Sequence, residues 1–175
     1  MKPETRNFYE RAVRSAVERI VSSLGEALDL EELARHAALS PFHFHRVFRG
    51  MIGETPLELH RRLALERAAW SLTTSDDRIT TIAFAAGYET HESFTRAFRE
   101  RYGCSPNEYR RIETRDQGCA RPPQFELATR SGIHFSPDGI FTPITFVTGV
   151  HTMQATIVDR PGASRCGGWA PRCLQ

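Results

Sequence analysis

Residues 90–106 read THESFTRAFRERYGCSP, and residues 40–56 read SPFHFHRVFRGMIGETP. With an offset of 50, Phe44 falls on Phe94, Arg46 on Arg96, Phe48 on Phe98, Arg49 on Arg99, Gly53 on Gly103, Pro56 on Pro106 and Glu58 on Glu108. These are seven identities in the fifteen positions from 44 to 58, more than shared helical composition supplies. The upstream segments align as well, Ala34 with Ala83 and Ala37 with Ala86, once one residue is added in the intervening turn. The chain therefore carries one structural unit twice. Two copies are too few for a solenoid, which needs about three units to bury a continuous core.

Around each copy the signals are helical. Val13, Ala16, Val17, Ile20, Val21 and Leu24 form an apolar stripe over residues 6–24 that ends at Gly25. Asp29 followed by Glu32 predicts a capping box opening a helix over LEELARHA. Ser40-Pro41, Thr55-Pro56 and Ser105-Pro106 each pair a hydroxyl N-cap with a proline at the first helical position. Helical patterns over 56–73 and 80–86, and another beginning after Thr90, bring the expected total to seven helices before Ile112. Each unit is thus a short helix, a tight turn and a second helix of about three turns, the helix-turn-helix layout. Small residues (Ala34 and Ala38, then Ala83 and Gly87) stand where its helices cross. The expected fold is mainly α: two such units joined by a long linker helix, followed by a short irregular or β region.

Helical spacing separates the two faces of each second helix. Phe44, Val47, Phe48 and Met51 share one face, as do Phe94, Ala97, Phe98 and Tyr102, and these are expected core. The opposite face presents Phe42, His45, Arg46 and Arg49 in the first unit, and Glu92, Thr95, Arg96 and Arg99 in the second, with His91 at its start. Any helix needs a solvated polar side, but two matched arginine-bearing faces point to nucleic acid. Arginine donates two parallel hydrogen bonds to guanine, histidine can donate to a base edge, glutamate can accept from cytosine, and an exposed phenyl ring suits a thymine methyl group. Arg49, Arg99 and Arg61 are expected to contact phosphate. The linker helix, at ~1.5 Å per residue, spans ~27 Å. Successive major-groove openings lie ~34 Å apart, so a duplex read by both units is expected to bend toward the protein.

Bulk properties are compatible with this reading without announcing it. Net charge is only +2, yet Lys2 stands alone against 22 arginines. Cys104, Cys119, Cys166 and Cys173 form no C-x-x-C pair and no zinc-finger spacing, which predicts reduced thiols and no bound metal. No signal peptide or membrane-length apolar run is present, so a cytoplasmic location is expected. Walker A, G-x-G-x-x-G, H-E-x-x-H and G-x-S-x-G patterns are all missing, and His43 and His45 lie on different sides of one helix; neither an enzyme nor a cofactor is expected.

The run from LEELARHAALS to GCSPNEYRR resembles the two-unit DNA-binding domain of AraC/XylS-type bacterial transcription regulators, most closely over IAFAAGYETHESFTRAFRERYGCSPNEYR. The resemblance covers residues 6–112. It implies base contacts from Phe42, His45 and Arg46, and from His91, Glu92, Ser93, Thr95 and Arg96, with double-stranded DNA and RNA polymerase as partners of a transcription activator. Beyond Ile112 the texture changes: 13 of the 22 glycines and prolines lie there, and 113–152 reads as linker and irregular segment. Strands are expected at 144–150 and 153–159. MQATIVDRP resembles the first strand of a GyrI-like effector-binding domain, so 153–175 is expected to be the start of such a domain, truncated. The alternative function is a small-molecule-responsive sensor whose effector-binding domain is cut short, and the short tail argues against a bound effector.

Overall fold

A computed structural model of the chain describes residues 3–115, 133–136 and 139–141. Its helices are α1 (Pro3–Ser22), α2 (Leu30–His36), α3 (Pro41–Ile52), α4 (Pro56–Thr74), α5 (Ile79–Ala85), α6 (His91–Tyr102) and α7 (Pro106–Arg115). Two short strands follow, β1 (His134–Ser136) and β2 (Gly139–Phe141), paired antiparallel with Phe135 opposite Ile140. The seven expected helices and both helix-turn-helix units, α2–α3 and α5–α6, are present. The strands expected at 144–150 and 153–159 lie outside the described residues. Within the stretch read as linker and irregular segment, the described residues contain this hairpin, in keeping with the short irregular or β region expected after the helices.

Most of the repeat's identities are accounted for by local architecture. Gly53 and Gly103 end α3 and α6 with φ of 86° and 75°, and their N–H groups donate to the carbonyls of Arg49 and Arg99 at 2.9 and 2.8 Å. Left-handed backbone of this kind carries little penalty only for glycine. Glu58 and Glu108 fold back onto the N–H groups of Thr55 and Ser105 at 2.7 and 2.8 Å, while those hydroxyls accept from the glutamates' own N–H groups. Both units thus close with a capping box, worth ~1 kcal/mol at each helix start. The expected box at Asp29 does not form in full. Asp29 accepts from the N–H groups of Glu31 and Glu32, but the Glu32 carboxylate pairs with Arg19 on α1 rather than turning back.

The apolar residues sort into two cores along α4. Val13, Val17 and Ile20 of α1 pack with Leu33, Ala34, Phe44, Phe48, Ile52, Leu59 and Leu63. Leu65, Ala69 and Leu72 pack with Ile82, Ala83, Phe94, Phe98 and Tyr109. The spacing of Leu65, Ala69 and Leu72 repeats that of Val13, Val17 and Ile20, so the second half of α4 supports the second unit as α1 supports the first. Eleven of the nineteen α4 residues are buried, because the helix contributes to both cores.

The units also touch directly. Gly25, in the turn before α2 with φ of +97°, packs backbone to backbone against the turn after α5, close to both the Ala85 carbonyl and Gly87. Arg67 of α4 donates to that same Ala85 carbonyl. At the far end, Arg110 of α7 donates to the carbonyls of Leu72 and Asp77 at 3.2 and 2.7 Å, capping α4.

Candidate nucleic-acid interface

Helices α3 and α6 are fixed from behind by their phenylalanines and in front by their N-caps. Ser40 and Thr90 accept from the N–H groups of His43 and Ser93 at 3.4 and 3.1 Å. Tilted aromatic pairs hold the inner faces, with centroids 5.7 Å apart for Phe44–Phe48 and 5.5 Å for Phe94–Phe98. His43, on the flank of α3, meets the Tyr9 hydroxyl of α1 through Nε2 at 2.9 Å, which separates it from the outer face carrying His45.

On that outer face, Arg46, Arg49, Arg96 and Arg99 are exposed, and none forms a hydrogen bond or ion pair among the described residues. Phe42 is 74% exposed, and the Arg46 guanidinium lies over its ring, 5.8 Å from the centroid. A large apolar ring in water carrying a cation is ready for a partner that is flat, partly apolar and anionic. In the second unit His91, Glu92, Thr95, Arg96, Arg99 and Glu100 line one shallow open concavity. Arg61 of α4 is exposed, while His45 is half-buried.

Two expected contact residues are committed inward. The Ser93 hydroxyl donates to the Thr90 carbonyl at 2.9 Å, continuing the N-terminal turn of α6. Thr95 Oγ1 is buried with no hydrogen-bond partner among the described residues. Both residues sit on the rim of the second face, with Glu92 and Arg96 presented beyond them.

One buried charged cluster escaped the sequence reading. Glu66 of α4, fully buried, accepts from Arg62 at 2.8 Å and from the Phe135 N–H at 2.9 Å, with His134 Nδ1 at 3.3 Å and Arg101 at 3.4 Å. Arg62 in turn binds Glu54 at 2.7 and 3.1 Å and donates to the Ile133 carbonyl at 2.8 Å. Burial alone would push the Glu66 carboxyl up, but His134, the Arg62 guanidinium and the Phe135 N–H together hold it below the ordinary carboxylate value. Among the described residues no group of three or more His, Cys, Asp or Glu side chains could hold a metal ion, and no helix is long and apolar enough to cross a membrane.

Comparisons with known proteins place the two units among helix-turn-helix proteins. A family model described as a helix-turn-helix domain matches residues 33–112. The chain is 36% identical over 103 residues to the HTH-type transcriptional regulator YbfP of Bacillus subtilis, covering 59% of this chain and 35% of that protein. It thus spans about a third of that relative's length. It is 32% identical over 95 residues to the HTH-type transcriptional activator AarP of Providencia stuartii, covering 54% of this chain and 70% of AarP. Among solved structures it resembles the DNA-binding domain of AdpA, described as a global transcriptional factor, in complex with a target DNA. That match has a TM-score of 0.53 and 29% identity over 63% of this chain and 96% of that one.

Proposed function

The chain belongs to the AraC/XylS-type family of helix-turn-helix transcription regulators, and from that premise we propose that it binds double-stranded DNA sequence-specifically, with α3 and α6 in successive major grooves. Base contacts come from Phe42, His45 and Arg46 in the first groove and from His91, Glu92 and Arg96 in the second, while Ser93 and Thr95, whose hydroxyls turn onto their own helix, border that second face. Arg49, Arg99 and Arg61 hold phosphates. RNA polymerase is the further partner that a regulator of this family implies, and catalysis has no part in the reading.

The observation that supports this most is what remains of the repeat once architecture is subtracted. Phe, Gly, Pro and Glu identities serve cores, caps and turns. The Arg46/Arg96 and Arg49/Arg99 side chains are exposed and make no hydrogen bond or ion pair among the described residues, although Arg49 and Arg99 also act at longer range on the capping carboxylates Glu58 and Glu108. Guanidinium groups at two matched helical positions fit bidentate reading of guanine and phosphate contact. Helix α4, nineteen residues long, spans ~28 Å, short of the ~34 Å groove repeat. The duplex therefore bends toward the protein, at an elastic cost of ~1–6 kcal/mol.

The test is enrichment of bound duplexes from a random pool by the full chain. The expected outcome is one motif with two half-sites about one helical turn apart. Recovery of random sequence would overturn the proposal.

A further inference from the structure

The carboxylate of Glu66 is a meeting point for three parts of the chain. The first recognition helix reaches it through Glu54, the residue after the Gly53 cap of α3, by way of Arg62. The second reaches it through Arg101, in the last turn of α6. The third part is the β1–β2 hairpin, which lies outside the two units: His134 and the Phe135 N–H bind Glu66, while the Ile133 carbonyl accepts from Arg62. Ile133 is completely buried in the first unit's core, and the Phe135 ring packs on Trp70 of α4 with centroids 6.2 Å apart.

We propose that this hairpin is a tie that fixes the relation between the two reading helices, with Glu66 as the positioning residue through which it acts. It rests on the DNA-reading function proposed above and adds a control to it. The hairpin adds Ile133 to the first core, and beyond that the chain places a buried charge, two arginines and a returning strand where the C-terminal ends of α3 and α6 are linked through Glu66. A charge-assisted network has a narrow range of satisfying geometries, because each partner left unpaired in the interior is costly. While the hairpin is docked, Glu54 and Arg101 are held in one arrangement, and the two helices can satisfy only one half-site separation. When the hairpin leaves, Glu66 loses the His134 ring and the Phe135 N–H, and Arg62 loses the Ile133 carbonyl. The ends of α3 and α6 can then shift, and other separations become readable. The segment beyond the two units thereby governs operator spacing.

The experiment uses the full chain carrying Trp169→Phe, so that Trp70 is the sole tryptophan and reports docking by its emission. Into this background go Ile133→Ser and His134→Ala together, which remove the hairpin's buried apolar anchor and the ring that binds Glu66 while leaving Phe135, the neighbour of Trp70, and Arg62, Glu66 and Arg101 intact. Binding is measured to single half-sites recovered by the parent chain, and to duplexes in which their separation is changed by one or two base pairs. The expected result is a red-shifted Trp70 emission, unchanged affinity for single half-sites, and a preference for the native separation reduced by up to about tenfold, the equivalent of one charge-assisted hydrogen bond. A red shift with an unaltered spacing preference overturns the tie. So does an unshifted emission, because the named contacts would then not hold the hairpin. If the parent chain enriches no sequence while the emission shifts, the failure belongs to the DNA-reading function and not to the docking of the hairpin.

Discussion

Replacing Gly25 by alanine tests the direct contact between the units. A Cβ there would overlap the Ala85 carbonyl oxygen and stand 2.7 Å from an Arg67 guanidinium nitrogen, in a residue with φ of +97°. Arg67 can swing aside, but the carbonyl is backbone and moves only if the turn after α5 moves. Gly103→Ala isolates the conformational part: φ is +75° and nothing lies within 4 Å of the added Cβ. That substitution should cost ~1–2 kcal/mol, the penalty of left-handed backbone for an L side chain. Gly25→Ala carries the same penalty plus ~1–3 kcal/mol of overpacking, for a total of ~2–5 kcal/mol. Gly50→Ala is the opposite control, since Gly50 lies in the interior of α3 with nothing within 4 Å of its added Cβ. It should stabilise by ~0.5–1 kcal/mol. Equilibrium urea unfolding of the full chain, followed by helical circular dichroism, orders the three. Equal midpoint shifts for Gly25→Ala and Gly103→Ala would refute the reasoning, because they would mean that the two turns are not in contact.

Two further outcomes follow from charge. Arg46→Ala should cost ~1–3 kcal/mol on the selected site and relax preference at one base position, whereas Arg99→Ala should weaken all duplexes alike and lower the salt slope by ~1; matched losses across sequences for both would make Arg46 a phosphate contact. Glu66 is held below its unfolded value of 4.5, so its contribution to stability is complete above that pH and is lost as pH falls through the depressed value. Glu66→Gln should flatten stability against pH in this acid window, and an unchanged slope would mean the carboxylate does not titrate there.

The helices were legible because their signals are local. Hydroxyl-proline starts, glycine ends and apolar periodicity act over a few residues, and the duplication let each unit check the other. The outer faces were legible for the same reason, since helical spacing fixes which side chains share a side. Ser93 and Thr95 were not so clear: whether a short hydroxyl turns out or back onto its own helix depends on rotamer, not spacing. The Glu32 capping box failed because Arg19, thirteen residues away in sequence, competes for the carboxylate. Glu66 was invisible because a glutamate within ALERAAW looks like any helical surface residue; its burial comes from Arg101 and from a strand almost seventy residues later. The hairpin did leave a trace in IHFSPDGIF, apolar alternation on either side of a Pro-Asp-Gly sequence. The weight of Gly and Pro over the whole tail hid it.

The outer faces of α3 and α6 share their arginines and little else: Phe42 and His45 occupy the places of Glu92 and Thr95. Regulators built from two identical subunits read palindromes and cannot tell upstream from downstream. On the function proposed above, two unlike readers on one polypeptide would recognise halves that differ, giving the bound molecule a front and a back. Its operator acts as an arrow, and turning that arrow around relative to a promoter would present the opposite side of the protein to whatever assembles there.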